Sequence, residues 1–353
     1  MKRIFFLIML ILAVSFHADT KEKREKKYTF HPASIFEIPQ NDPYKMHIKI
    51  SDNTNECRAL TVVLKTGQTT SYTNYDDGYY QKGAARSYTR DNAKEIVTDN
   101  TTNLQWQDNS DAKTVQKTWS EAKEYCENLT LGGYDDWRLP SMDELLTIVD
   151  YGRYSPAINP VFQNVGSFWK NGVEVDDYIV SSYWSSTSLA SDSSSAWDVH
   201  FYSGQDGWDF KGLSKFVRCV RGERLERGNF SRDDTKEIVT DNCTKLQWQD
   251  NSEAKTVTKT WSEAIDYCEN LTLGGYDDWR LPNVNELYSI VDRSRSYPAI
   301  DPVFQNVVSR YYWSSTSVAS DSSSAWDVGF SHGGGSWGVK SLSHFVRCVR
   351  GGQ

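Results

Sequence analysis

The sequence predicts an α+β fold written twice: two tandem domains, each with two helices and short antiparallel strands. Three observations carry this. The sixteen residues YCENLTLGGYDDWRLP, Tyr125 to Pro140, recur unchanged at Tyr267 to Pro282. Each copy carries two helix-start signals of the capping-box kind. Short apolar runs with strand character bracket those helices. A chain of 353 residues has room for two domains of ordinary size and a leader.

The elements follow in order. Met1 to Ala18 reads as a secretory signal peptide, with Lys2 and Arg3 ahead of the apolar run Ile4 to Val14 and cleavage after Ser15 or Ala18. That run is too short to span a bilayer comfortably, so no membrane insertion is expected after cleavage. Residues 19–86 form a leader. KEKREKKYTF from Lys21 reads as a solvated tail. Met46 to Ile50 and Arg58 to Lys65 read as strands. Thr66 to Tyr80 is turn-rich, and it lacks the ligand spacing of an EF-hand despite Asp76, Asp77 and Gly78.

Copy one occupies 87–222. Lys94 to Asp99 and Leu104 to Gln107 read as a strand pair. Thr118 and Glu121 cap a first helix whose Trp119, Ala122, Cys126 and Leu129 share a face, and Leu131-Gly132-Gly133 ends it. Ser141 and Glu144 cap a second. Tyr183 to Ser185, Ala196 to Phe201 and Phe216 to Arg221 close the domain as strands. A polar linker spans 223–229. Copy two, 230–353, repeats the course with caps at Thr260 and Asn283. A thirteen-residue register shift places an extra loop, with Phe168 and Trp169, in copy one.

Six cysteines without a CxxC pair fit an oxidising compartment. Cys126 and Cys219 occupy the places in copy one that Cys268 and Cys348 occupy in copy two, so the economical pairing is Cys126–Cys219 and Cys268–Cys348. Each bridge would contribute about 4–5 kcal/mol in the chain-entropy view. Cys57 and Cys243 either pair or stay free; Cys243 stands where copy one has Thr101.

A formal charge of −8 and a pI of about 5.4 argue against a nucleic-acid binder. No histidine is shared: His200 stands opposite Gly329, His332 opposite Ser203, and His344 opposite Lys215. A His-based triad or zinc site common to both copies is thereby excluded. Asp135 and Asp136, with Asp277 and Asp278, are paired carboxylates in a turn. They read as turn caps that pair with Arg138 and Arg280 rather than as an acid/base couple. Asp192 and Asp198, with Asp321 and Asp327, are the candidate oxygen ligands for calcium.

The runs VTDNTTNLQWQDN, WSEAKEYCENL, GGYDDWRLPSMDEL, YWSSTS, AWDVHF and FVRCVRG, in the same order twice, resemble the Lcl C-terminal domain family of bacterial secreted and surface proteins, named for a collagen-like adhesin. The resemblance implies a C-type lectin-like fold with a helix-to-last-strand disulfide in each copy. It also implies carbohydrate binding without a common reaction. The Glu-Pro-Asn and Trp-Asn-Asp motifs of calcium-dependent sugar binders are missing.

Divergence between the copies locates the expected binding surface. Ten of twenty-one positions differ between Ala196–Phe216 and Ala325–Phe345, against none in the sixteen-residue repeat. The candidate ligand residues are Trp197, His200, Tyr202, Gln205, Asp206, Trp208, Asp209 and Lys211 in copy one, with Trp326, Trp337 and Lys340 in copy two. The expected function is that of a secreted, cell-surface or periplasmic binding protein, not an enzyme, with an extracellular carbohydrate or surface protein as its ligand. A structural module of an envelope assembly is the first alternative, and an enzyme of unrecognised type the second.

Overall fold

Each repeat opens with a small meander that returns to meet its own last strand. The computed structural model describes residues 62–166, 169–170, 173–174, 182–226 and 228–352. The signal, the charged tail, the strand expected at Met46 to Ile50, Cys57 and the Phe168 loop tip lie outside the described residues.

In the leader, the described part of the apolar run, Val62 to Lys65, forms a one-residue bridge, Leu64 with Ala84. The turn-rich segment contains one helical turn, α1 (Asp77–Tyr80), whose N-cap Asp76 accepts from the Tyr79 amide at 2.8 Å. In copy one, β1 (Tyr88–Asp91), β2 (Ile96–Asp99) and β3 (Gln105–Gln107) form a meander. After β4 (Gln116–Lys117) come α2 (Trp119–Glu127) and α3 (Met142–Thr147). The inserted loop forms a hairpin of β5 (Trp169–Lys170) and β6 (Val173–Glu174). The chain then runs through β7 (Ser182–Leu189), β8 (Asp192–His200), β9 (Gln205–Phe210), β10 (Lys215–Phe216) and β11 (Val220–Arg221).

Two sheets result, in the orders β1-β2-β3-β11 and β4-β10-β7-β8-β9. The first joins the two ends of the repeat through β3 and β11. The second is longer-stranded than the sequence pattern predicts. Its pairing is antiparallel except at one place: β10 meets β7 in parallel at Phe216 and Tyr183. The strand expected at Phe216 to Arg221 is broken, because residues 217–219 cross from one sheet to the other. The architecture is α+β and mostly strand.

The predicted caps form. Thr118 and Ser141 each make the reciprocal box with the glutamate three residues on. Cys126 and Ala122 bury the inner face of α2. The helix stops at Glu127, before the glycines. Gly132 and Gly133, at φ of 62° and 84°, instead make the tight turn that bridges Leu131 to Tyr134.

Copy two repeats the plan with β12 (Phe230–Asp233), β13 (Ile238–Asp241), β14 (Gln247–Gln249), β15 (Thr258–Lys259), α4 (Trp261–Glu269), α5 (Val284–Ser289), β16 (Tyr311–Val318), β17 (Asp321–Gly329), β18 (Gly334–Val339), β19 (His344–Phe345) and β20 (Val349–Arg350). Disulfides join Cys126 to Cys219 and Cys268 to Cys348, each pinning the first helix to the crossover before the last strand. Cys243 is also disulfide-bonded, to a partner outside the described residues.

Buried charge holds the crossovers. Arg218, fully buried, donates to Asp108 at 3.0 Å and to the Gln107 carbonyl at 2.7 Å. Arg90 donates to the same carboxylate. Arg347, Asp250 and Arg232 repeat the arrangement. Around each disulfide sits a satellite cluster, with Trp137, Leu139 and Trp184 in copy one and Trp279, Leu281 and Trp313 in copy two. The main core is shared. One cluster contains Trp106, Leu145, Trp197 and Phe201 together with Trp248, Leu287, Trp326 and Phe330, and both repeats belong to one compact unit.

Candidate functional site

The segment expected to face a ligand faces the other repeat. Strands β9 and β18, which carry five of the ten divergent positions, lie against each other. Trp197, His200, Tyr202 and Asp206 are buried, as is Trp326. The Asp206 carboxylate accepts from the Tyr288 hydroxyl and from the Gly335 amide, both at 2.8 Å, and Arg293 lies 3.5 Å from its other oxygen. Arg293 also pairs with Asp143 and sits over the Trp197 ring at 5.2 Å. Burial pushes the Asp206 carboxyl above its usual range, and Arg293 opposes that shift.

This corrects the assignment of Trp197, His200, Tyr202, Asp206 and Trp326 to a ligand surface. The reason is steric and electrostatic. Where equivalent strands of two copies abut, identical residues meet each other. Asp206 needs its counterpart to be Gly335, since a side chain there would overlap the Tyr288 hydroxyl. Likewise Tyr151 packs edge-on to Trp326 at 5.0 Å, while its counterpart Arg293 covers Trp197. Divergence here marks a junction that unlike residues fill.

Other candidates have framework partners. Lys211 donates to the Ser188 hydroxyl and the Ser193 carbonyl, both at 2.7 Å, over the Trp119 ring. Lys340 repeats this on Ser317 and Trp261, and burial lowers its pKa to about 8. Asp209 accepts from the buried Lys215 at 2.7 Å, and Lys215 also lies 3.0 Å from Asp198. Gln205 stands opposite His200 in the β8–β9 ladder.

The calcium candidates separate. Asp198 holds the Lys215 ammonium, and burial raises its pKa to about 6 against the pull of that lysine. Asp327 faces His344 at 3.3 Å. Asp192 and Asp321 instead bond the serines that follow them, which lowers both pKa values. Among the described residues no three His, Cys, Asp or Glu side chains come together to hold a metal.

The paired aspartates are turn residues with a different partner than expected. Arg221 donates to Asp136 at 2.6 Å and holds its pKa down, and Arg350 does the same for Asp278. Arg138 and Arg280 are engaged with Glu144 and Glu286.

An open aromatic cluster remains at the seam. Trp208 stays 43% exposed although its ring meets Trp197 at 5.2 Å. Its other neighbour is His332 of copy two, also at 5.2 Å, which in turn meets the exposed Tyr297 ring at 4.7 Å. The Tyr297 hydroxyl lies 3.0 Å from His332 Nε2, and the Ser191 hydroxyl 3.3 Å from Nδ1. Gly334 leaves room for both Trp197 and Trp208. Trp337, also 43% exposed, occupies the equivalent place on β18, where Ser203 and Ser155 replace the histidine and tyrosine. The sequence reading misses Tyr297 and His332. The available signal is that both are aromatic where copy one has serine.

The leader is a second feature that repeat comparison misses. It packs on copy two: Thr316 donates to Asp77 at 2.8 Å, the Ser317 amide to Gln68 at 2.7 Å, and the Tyr80 hydroxyl to Glu269 at 2.9 Å. Thr66 donates to the same Asp77 carboxylate at 2.5 Å. Burial raises the Asp77 pKa to about 7.

The family model described as the Lcl C-terminal domain matches residues 95–221 and again 237–350. None of the curated proteins matches the chain.

Proposed function

Because the chain belongs to the Lcl C-terminal domain family, twice over, we propose that it is a secreted or surface-exposed, non-enzymatic binding protein of C-type lectin-like fold that recognises carbohydrate at the seam between its repeats. One observation carries the reading: Trp208, His332 and Tyr297 form a solvent-open aromatic cluster drawn from both copies. A sugar ring presents an apolar C–H face and a rim of hydroxyls. A tryptophan ring beside an imidazole, a phenol and the Ser191 hydroxyl offers both kinds of contact. Trp208 and Trp337 persist where ten of twenty-one neighbouring positions have changed.

Support for the fold comes from the helix-to-crossover disulfide and the pairing of β3 with β11, which brings the ends of a repeat together. The disulfides suit an oxidising compartment, and no helix among the described residues is long and apolar enough to cross a membrane.

The test is a glycan array followed by calorimetry on the intact mature chain. Binding should fall by more than about tenfold in Trp208→Ala and Tyr297→Ala, the loss of one stacking contact, and change little in Trp337→Ala. An array without a hit, or binding indifferent to Trp208, defeats the proposal. Capture of a surface protein at the same residues would move the reading to protein recognition.

A further inference from the structure

The two repeats present the same face to different surroundings. In copy two that face is β16 with both ends of α4 and the segment leading into α5. Residues 66–82 of the leader lie on it, and Thr316, Ser317, Trp261, Asn283 and Arg280 are all buried. The contacts are specific: Thr316 to Asp77, the Ser317 amide to Gln68, Glu269 to Tyr80, Asn283 to the Lys82 carbonyl at 3.3 Å, and Lys340 4.9 Å from the Tyr72 ring.

In copy one the counterparts are Thr187, Ser188, Trp119, Ser141 and Arg138, and every one of them is partly open to solvent, with Glu127 exposed. The side chains that receive the leader are retained. Thr187, Ser188, Glu127, Lys211 and Trp119 match Thr316, Ser317, Glu269, Lys340 and Trp261 residue for residue. Only Asn283 has changed among these contacts, to Ser141. One further change is informative. Ile265, buried in copy two, is Lys123 in copy one, with its ammonium 4.8 Å from the Trp119 ring centroid. With Lys211 it adds a second cation beside that ring.

We infer that this open face of copy one is a docking site for an acidic, tyrosine-bearing segment of a partner protein, seated as residues 66–82 sit on copy two. The occupied face is the template: a carboxylate accepts from the threonine hydroxyl, an amide carbonyl oxygen accepts from the serine amide, and a tyrosine hydroxyl donates to the glutamate. The two lysines favour an acidic occupant. A second copy's leader is not free to serve, because its own residues are engaged in place. The Thr66 carbonyl accepts from the Tyr151 amide at 2.8 Å, and Asp77 is bonded to Thr316. The inference does not depend on carbohydrate recognition.

The probe is a fluorescent synthetic peptide of residues 66–82, titrated into the intact mature chain by anisotropy. One peptide should bind per chain, saturably. Ser186→Arg places a long side chain across the face at the position equivalent to the buried Ser315. Glu127→Lys changes an exposed residue and leaves the fold alone. Each should weaken binding at least about tenfold, one lost charge-assisted contact or more. Trp208→Ala should leave it unchanged, separating this site from the seam. No saturable binding, or binding unaffected by both face variants, overturns the inference. So does self-association of the chain that Ser186→Arg abolishes, since the occupant would then be a second copy.

Discussion

Asp77→Asn should make the protein more stable at alkaline pH. The carboxyl is buried beneath the leader, and one of its oxygens accepts from two threonine hydroxyls, Thr66 at 2.5 Å and Thr316 at 2.8 Å. Desolvation outweighs those bonds, with Glu286 and Asp76 adding repulsion, and the pKa rises from 3.8 to about 7. Arg280, held by Glu286, is the nearby cation. The sign follows from linkage. A folded-state pKa above the unfolded one means that the folded protein binds the proton more tightly. The stabilisation is complete below pH 3.8 and is lost as pH rises through about 7. Above that pH the fold carries a buried charge. Raising the pKa from 3.8 to about 7 corresponds to about 4 kcal/mol between the acid and alkaline limits. Asparagine keeps an oxygen for the hydroxyls and has no charge to desolvate. Urea denaturation at pH 4.5, 6 and 8 measures the difference between variant and parent. That difference should grow by several kcal/mol from pH 4.5 to pH 8 in favour of asparagine. Subtraction removes the contributions of Asp198, Asp206 and Asp327, which burial also raises. A difference that stays flat with pH, or an asparagine variant weaker at pH 8, refutes the reasoning.

Gly335→Ala should destabilise by about 1–3 kcal/mol in urea melts, because the added methyl overlaps the Tyr288 hydroxyl at the seam; Tyr288→Phe in the same chain should recover part of the loss. Lys215→Met should cost about 3–5 kcal/mol by thermal melting, since it leaves Asp198 buried without its cation, whereas Lys215→His, the pairing found in copy two, should cost less. Asp136→Asn should cost under about 1 kcal/mol in the same melts, because the Asp136 side chain is more than half exposed and its pair with Arg221 is screened by solvent.

Local signals were legible where chemistry is local. The capping boxes at Thr118, Ser141, Thr260 and Asn283 are read from residues three apart, and they form as read. The two shared disulfides follow from matched positions in matched repeats. Pairings that depend on sheet order were not legible. Asp136 reaches Arg221, 85 residues away, because β11 returns beside the turn. Arg218 finds Asp108 only once the crossover is made. The same gap hid the meaning of divergence. In sequence, Asp206 against Gly335 looks like an adapting surface; in space the two are hydrogen-bonded to each other. The leader was obscure for a related reason, since Asp76-Asp77-Gly78 docks on copy two, more than two hundred residues further along the chain.

The reciprocity at the seam has a consequence for ancestry and engineering. Tyr151 packs on Trp326, and its counterpart Arg293 packs on the counterpart Trp197, which is the signature of an isologous contact. The chain is therefore built as a homodimer contained in one polypeptide. A true homodimer must satisfy self-complementarity, so a carboxylate at position 206 would face its own copy across the axis. Covalent fusion releases that constraint, and Asp206 with Gly335 is a solution open only to unequal halves. Cutting between the repeats would accordingly yield two unpartnered protomers, each exposing core tryptophan, rather than two working domains.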